Sequence, residues 1–294
     1  MPARSTSPSA GERTPFFELA AWPTVPHLLP LWTLAALGVA GLVAGFVDAI
    51  AGGGGLLTIP ALVLAGLDPV AAVATNKLNG TIGTASATWV FARLGRIDLA
   101  EMWPTALTAG IGAIIGALLL PIAPRSAVDA ALPLALIAVA LYFAFSPQMS
   151  DADRRQRLSA RGYAFSIAPV VGLYDGVFGP GAGSFYTIGL IVLLGFGVTR
   201  AIANARLANF ASNLGSLAIF AVGGQIVVSA GLAMALGQFL GSRLGAHAVL
   251  GAGVKLVRPL VVTVSCLMAL RLAARPGNPV LDALVKGFSA LIGG

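Results

Sequence analysis

The stretch from Gly45 to Pro60, GFVDAIAGGGGLLTIP, sets an acid and four consecutive glycines inside an apolar run. No charged residue occurs from 19 to 47 or from 49 to 67. Glycine runs break helices, and a carboxylate among apolar residues is costly in any low-dielectric medium. Irregular backbone at membrane depth is tolerated only where protein or a water-filled cavity surrounds it. Such a stretch therefore demands an enclosed polar centre. The pattern returns as GLYDGVFGPGAG from Gly172 to Gly183. Asp48 and Asp175, Gly45 and Gly172, Gly52 and Gly179, and Gly54 and Gly181 are each 127 residues apart. The chain reads as two copies of one unit.

With 57% hydrophobic and 10% charged residues and a mean hydropathy of +0.89, the chain falls far from the roughly 25% charge of soluble proteins. The fold class expected is an all-α polytopic membrane protein. It has two helical repeats with broken helices at the glycine-rich motifs, about eight full transmembrane helices plus half-helices. The net charge of +7 resides mostly between apolar runs, where Lys and Arg set topology and meet anionic headgroups. The lipid bilayer is thus the expected partner, and nucleic acid is not. Cys266 is the single cysteine, and His27 and His247 are isolated, so no metal, cofactor or catalytic triad is expected. Neither glycine cluster fits a nucleotide fingerprint, and no Walker lysine follows.

Along the chain, residues 1–30, rich in Pro, Ser and Thr, read as a disordered arm, and residues 31–147 as the first transmembrane repeat. Residues 148–161 form a charged linker, 162–274 the second repeat, and 275–294 an amphipathic tail lying on the membrane. Within the first span, 31–51, the run Leu34 to Val47 has the length of a signal-peptide core, but its echo in the second half argues for a retained helix. Residues 56–66 make only about 16 Å of helix, half of a ~30 Å core. Asp68-Pro69 is a helix start, from which a helix to Leu94 is expected, interrupted near Asn79-Gly80. Further spans are expected at 102–123, 130–145, 162–178, 185–198, 201–222, 226–244 and 256–274.

With a two-residue insertion, Lys77-Leu78 aligns with Arg206-Leu207, and GAIIG at Gly112 with GQFLG at Gly237. Small residues four apart allow close helix packing. With the half-helices not crossing, eleven Lys and Arg fall on the N-terminal side, among them 93, 96, 154, 155, 157 and 161, against seven opposite. The positive-inside rule then predicts cytoplasmic termini in the cell inner membrane. Full crossing by each short segment would invert the repeats; the sequence leaves both courses open, and a homodimer with them.

The ionisable groups nearest the repeated breaks are Asp48, Lys77, Asp175 and Arg206. Fourteen residues of helix carry Asp175 roughly 21 Å past Arg161. Broken helices present free backbone N–H groups that suit an anion. The expected substrate-binding set is Lys77, Arg206, Asn76, Asn79, Asn209 and Asn213 with the break residues Gly52, Gly53, Gly54, Gly55, Gly179, Pro180, Gly181 and Gly183. Asp48 and Asp175 have two readings. They exchange a proton as the site changes sides, or they stay ionised, capping half-helices or pairing with Lys77 and Arg206.

GFVDAIAGGGGLLTIPAL with ATNKLNG, and GLYDGVFGPGAG with NARLAN, resemble the paired signature regions of the sulfite exporter TauE/SafE family over residues 35–272. The resemblance implies a secondary transporter, an exporter in the leading reading, for a small sulfur-containing anion such as sulfite or an organosulfonate. The absence of an ATPase motif implies coupling to H+, Na+ or the membrane potential. Transport of another small organic anion and a non-transporting assembly role are the alternatives. The chain is not expected to be an enzyme.

Overall fold

The computed structural model describes residues 29–120, 151–252 and 263. Within them the chain forms eight α-helices and no strand. These are α1 Leu31–Ala51, α2 Gly54–Leu64, α3 Pro69–Arg93, α4 Leu99–Leu119, α5 Ala160–Val177, α6 Ala182–Leu193, α7 Val198–Val222 and α8 Val228–Ala252. The expected spans at 130–145 and 256–274, the tail and nearly all of the N-terminal arm lie outside the described residues.

Helix starts follow local chemistry. The Asp68 carboxylate accepts from the Val70 and Ala71 N–H groups, with Pro69 in the first turn. Asp98 and Ser159 cap α4 and α5 in the same way. One expectation changes: Asn79-Gly80 does not interrupt α3, which runs unbroken for 25 residues. The Thr81 and Thr84 hydroxyls bond back to the Lys77 and Gly80 carbonyls. Gly80 instead lies against the Asn213 amide of α7, so it serves a close crossing rather than a bend.

The short helices turn back. Gly54 lies beside Asp48 and Ala44, and Leu62 packs in one cluster with Leu37, so α2 retraces α1. Likewise the Tyr163 hydroxyl donates to the Tyr186 carbonyl at 3.3 Å, and the Leu193 carbonyl accepts from the Arg157 and Leu158 N–H groups. Thus α6 retraces α5. The α1–α2 hairpin opens at a first face, where Leu37, Leu62, Leu67, Ala71, Val227 and Ala230 cluster. The α5–α6 hairpin opens at the second face, with Met102, Tyr163, Leu194, Phe196 and Ala201. Helices α5–α8 therefore follow the course of α1–α4 from the opposite side. Leu31 and Arg93 stand on opposite faces, because α1 and α2 together make no net crossing. Of the two courses the sequence left open, this is the one in which each short segment returns to the face its hairpin came from.

Glycine stripes bind the two sets together. Gly237, Gly241 and Gly245 of α8 press on the carbonyls of Gly38, Leu42 and Phe46 of α1. Gly112 and Gly116 of α4 press on those of Pro169 and Leu173 of α5. The fourth helix of each set thus packs in parallel on the first helix of the other, at a spacing no Cβ would permit.

Besides a buried apolar core, the chain carries large apolar residues on its surface and charge at its centre. Trp32, Val39, Trp89, Trp103, Leu107, Phe165, Val170, Leu236 and Leu244 are exposed, while Lys77 and Arg206 are wholly buried. A contiguous apolar exterior of this kind requires lipid or a partner to cover it, and Trp near helix ends suits the membrane interface. By length and composition alone, only α1 and α4 of the described helices qualify as spans. Central α3 and α7 carry the polar residues and are shielded by their neighbours.

At the second face the segment before α5 is clamped. Asp153 accepts the Gly197 N–H at 2.7 Å, and Arg200 bridges Asp153 at 2.7 Å and Glu101 at 3.0 Å. The Gly197 N–H holds the Asp153 carboxyl below its ordinary value of 3.8; burial opposes this and Arg200 assists it. Gly237→Ala should destabilise the protein by about 1–3 kcal/mol through overpacking at Gly38. Gly251→Ala, with nothing within 4 Å of the added atom, should cost nothing. Thermal unfolding in detergent compares the two.

Candidate functional site

The two breaks meet. Gly52 ends α1 in the left-handed region, φ 81°, and Gly181 precedes α6 at the same angle, a conformation that favours glycine. Gly52 lies directly on the backbone of Gly183 and Ser184, and Gly55 rests on Pro180. The Ser184 hydroxyl donates to the Ala51 carbonyl, and the Tyr174 hydroxyl fixes Pro180 through its carbonyl at 2.7 Å. Asp48 reaches across its own break, its Oδ1 accepting the Gly54 N–H at 3.0 Å. That bond caps α2, a favourable place for a negative charge.

The charges pair crosswise. Arg206 of α7 lies 3.4 Å from the Asp48 carboxylate and donates to the Asp48 carbonyl at 2.6 Å. Lys77 of α3 lies 2.7 Å from the Asp175 carboxylate and also donates to the Asp175 carbonyl. The second Asp175 oxygen accepts from the Ser212 hydroxyl. Each acid sits on a hairpin and each cation on a long helix of the other set. Lys77 is about 12 Å along α3 from the first face, and Arg206 about 12 Å along α7 from the second. Two cations and two carboxylates leave the centre neutral, which is what burial at this depth requires.

Between the pairs lies a cavity of about 20 Å³, room for one water-sized molecule. Asp48, Asp175, Gly52, Gly55, Gly179, Gly181 and Gly183 line it, as do Asn76, Asn209 and Asn213. Lys77 and Arg206 stand behind their acids rather than in the wall. Gly53, Gly54, Pro180 and Asn79 are also outside the lining, and both polar atoms of the Asn79 side chain are buried without a partner. Asn76 accepts the Thr58 hydroxyl, and Asn213 donates to the Asn209 carbonyl at 2.8 Å. Sequence reasoning missed Gly80, Ser212 and Gln238. Gln238 was visible as the one polar side chain within the packing motif GQFLG. It lines the cavity with Oε1 unpartnered. Among the described residues no three His, Cys, Asp or Glu side chains cluster as a metal site needs.

Glycine-broken helical hairpins that meet at a polar centre, under an apolar exterior, are an arrangement that many membrane transport proteins use. The chain belongs to the sulfite exporter TauE/SafE family, whose sequence profile matches residues 37–272. It is 46% identical over 247 residues to a "Probable membrane transporter protein ORF9" of Sinorhizobium sp, covering 84% of this chain and 95% of that one. A "Probable membrane transporter protein" of Haemophilus influenzae is 42% identical over 244 residues, 83% of this chain and 96% of its own. The "Probable membrane transporter protein YfcA" of Escherichia coli K12 is 42% identical over 239 residues, with 81% and 89% covered. No solved structure matches at a significant level.

Lys77→Gln removes one member of a fully buried pair and leaves Asp175 uncompensated. It should cost about 3–5 kcal/mol, and adding Asp175→Asn should restore much of that. Unfolding midpoints of the single and double variants in detergent check the pairing.

Proposed function

We propose that this protein is a secondary transporter that carries a small sulfur-containing anion, such as sulfite or an organosulfonate, outward across the cell inner membrane. What supports the reading most is the pair of hairpins entering from opposite faces and closing on one neutral, polar cavity. A site reached from either side by moving one hairpin is the requirement of alternating access. The family description supplies the sulfur anion. The cation Arg206 beside Asp48, the amides of Asn76, Asn209 and Asn213 and the break glycines supply donors of the right kind. The cavity of about 20 Å³ is too small for an oxyanion, so the structure corresponds to a closed state. A net neutral centre favours movement of the anion together with H+ or Na+.

Arg93, Arg96, Arg154, Arg155, Arg157, Arg161 and Arg200 all gather at the second face. By the positive-inside rule that face is cytoplasmic, so α1 begins at the outer face. This reverses the orientation expected for the N-terminus.

Two measurements test these readings. Proteoliposomes holding the purified protein should accumulate labelled sulfite when a pH or Na+ gradient is imposed, and protein-free vesicles should not. Indifference to both gradients and to the potential would remove the coupled-transport reading. In a Cys266→Ser background, a cysteine replacing Arg96 should react with an impermeant maleimide only from the cytoplasmic side. One replacing Pro30 should react only from outside.

A further inference from the structure

The two crossed pairs are alike in charge and unlike in bonding. Lys77 places two of its three donors on the Asp175 carboxylate and carbonyl, and Ser212 holds the remaining Asp175 oxygen. Arg206 spends only its Nη1, on the Asp48 carbonyl and, at a longer 3.4 Å, on the carboxylate. Its Nε and Nη2 are buried with no hydrogen-bond partner, and its side chain is 0% exposed. Orphan donors on a buried guanidinium are costly. Because Arg keeps its charge, the site cannot relieve them by deprotonation.

The space beside one of those donors, Nη2, is held open by glycine. A Cβ on Gly183 would stand 2.6 Å from Arg206 Nη2, 3.0 Å from Nη1 and 2.8 Å from the Gly52 Cα. Gly52, Gly183 and Asp48 all line the central cavity. The guanidinium thus adjoins lining residues of the cavity, the side-chain-free Gly183 and the Asp48 carboxylate. Nε and Nη2 form the edge of the fork that takes two oxygens of a planar or tetrahedral oxyanion.

We propose that Arg206, and not Lys77, is the direct partner of the transported oxyanion, and that Asp48 is the group the anion displaces, taking up one proton as it leaves. Lys77, Asp175 and Ser212 then form a fixed strut between α3, α5 and α7. This deepens the transport reading and rests on it for the identity of the anion. In the closed state Arg206 is balanced by the Asp48 carboxylate. When a proton from solution moves onto Asp48, the guanidinium loses its counter-charge and an oxyanion takes that place. Proton and anion enter together and leave together, so the buried charge stays constant.

The surroundings of Asp48 leave it as the exchanging group. It is the single titratable residue of α1. Helix α2 offers it the Gly54 N–H and no charged side chain. From α7 it faces Arg206, and α6 brings only the Tyr186 phenol. On α8, Gln238 is neutral, and Arg243 and His247 are exposed. Across the cavity, Asp175 is already committed to Lys77 and Ser212.

The test uses the full chain in lipid nanodiscs with methanesulfonate, a monoanion that keeps its charge across the working range. Calorimetric titrations in buffers of different ionisation enthalpy give the proton number. About one proton should be taken up per anion, with affinity strengthening about tenfold for each unit fall in pH. Asp48→Asn should bind with no proton uptake and no pH dependence. Arg206→Gln should bind at least tenfold more weakly. So should Arg206→Gln combined with Asp48→Asn, a neutral pair that removes the stranded carboxylate should the single variant misfold. Normal binding by either Arg206 variant overturns the assignment, as does unchanged proton uptake in Asp48→Asn or binding of no anion by the wild type. If methanesulfonate and thiosulfate fail while acetate binds with one proton and depends on Arg206, the assignment stands and the sulfur reading falls.

Discussion

Burying four ionisable groups beneath an apolar exterior requires that every charge meet its opposite at the same depth. Asp48 with Arg206 and Asp175 with Lys77 satisfy it. Neither set of four helices can do so alone. The first contains Asp48 and Lys77, which point to partners on the second. The glycine stripes, the positive-φ breaks and the hairpin reversals all bring those partners within reach.

Much of this could be read from residues. The echo of an acid and its glycines located both breaks, Asp68-Pro69 marked the start of α3, and the small-residue spacing marked the faces of α4 and α8. What stayed hidden depends on direction in space. An apolar run of eleven residues looks the same whether it continues outward or folds back, so the course of α2 was not legible. The count of basic residues on each face depends on that course. Asn79-Gly80 read as a helix break because glycine weakens an isolated helix. In place, tertiary contact with Asn213 overrides that tendency.

The candidate site shows the same division. The ionisable residues were legible because a charge in an apolar run needs a reason. Their pairing was not, since it joins residues separated by 98 and 158 positions. Gln238 escaped because a neutral amide between glycines reads as packing. Its unpartnered oxygen at the cavity becomes apparent only when α8 is set against α3. The bonding difference between Lys77 and Arg206 likewise lies in geometry, because the two occupy equivalent places in the alignment.

The parallel packing of α1 on α8 and of α4 on α5 bears on how the protein is made. A ribosome delivers α1 to α4 to the bilayer well before α8 exists. In that interval Asp48 and Lys77 lie among lipids or translocation machinery without their eventual partners, and the glycine grooves of α1 and α4 stand empty. The first set is thus an unfinished surface awaiting the second. Order of synthesis makes the later helices the template on which the earlier ones close. A chain cut at the 151–159 segment would leave two pieces, each with an unmatched acid, an unmatched base and an open groove, complementary to one another and stable only when joined.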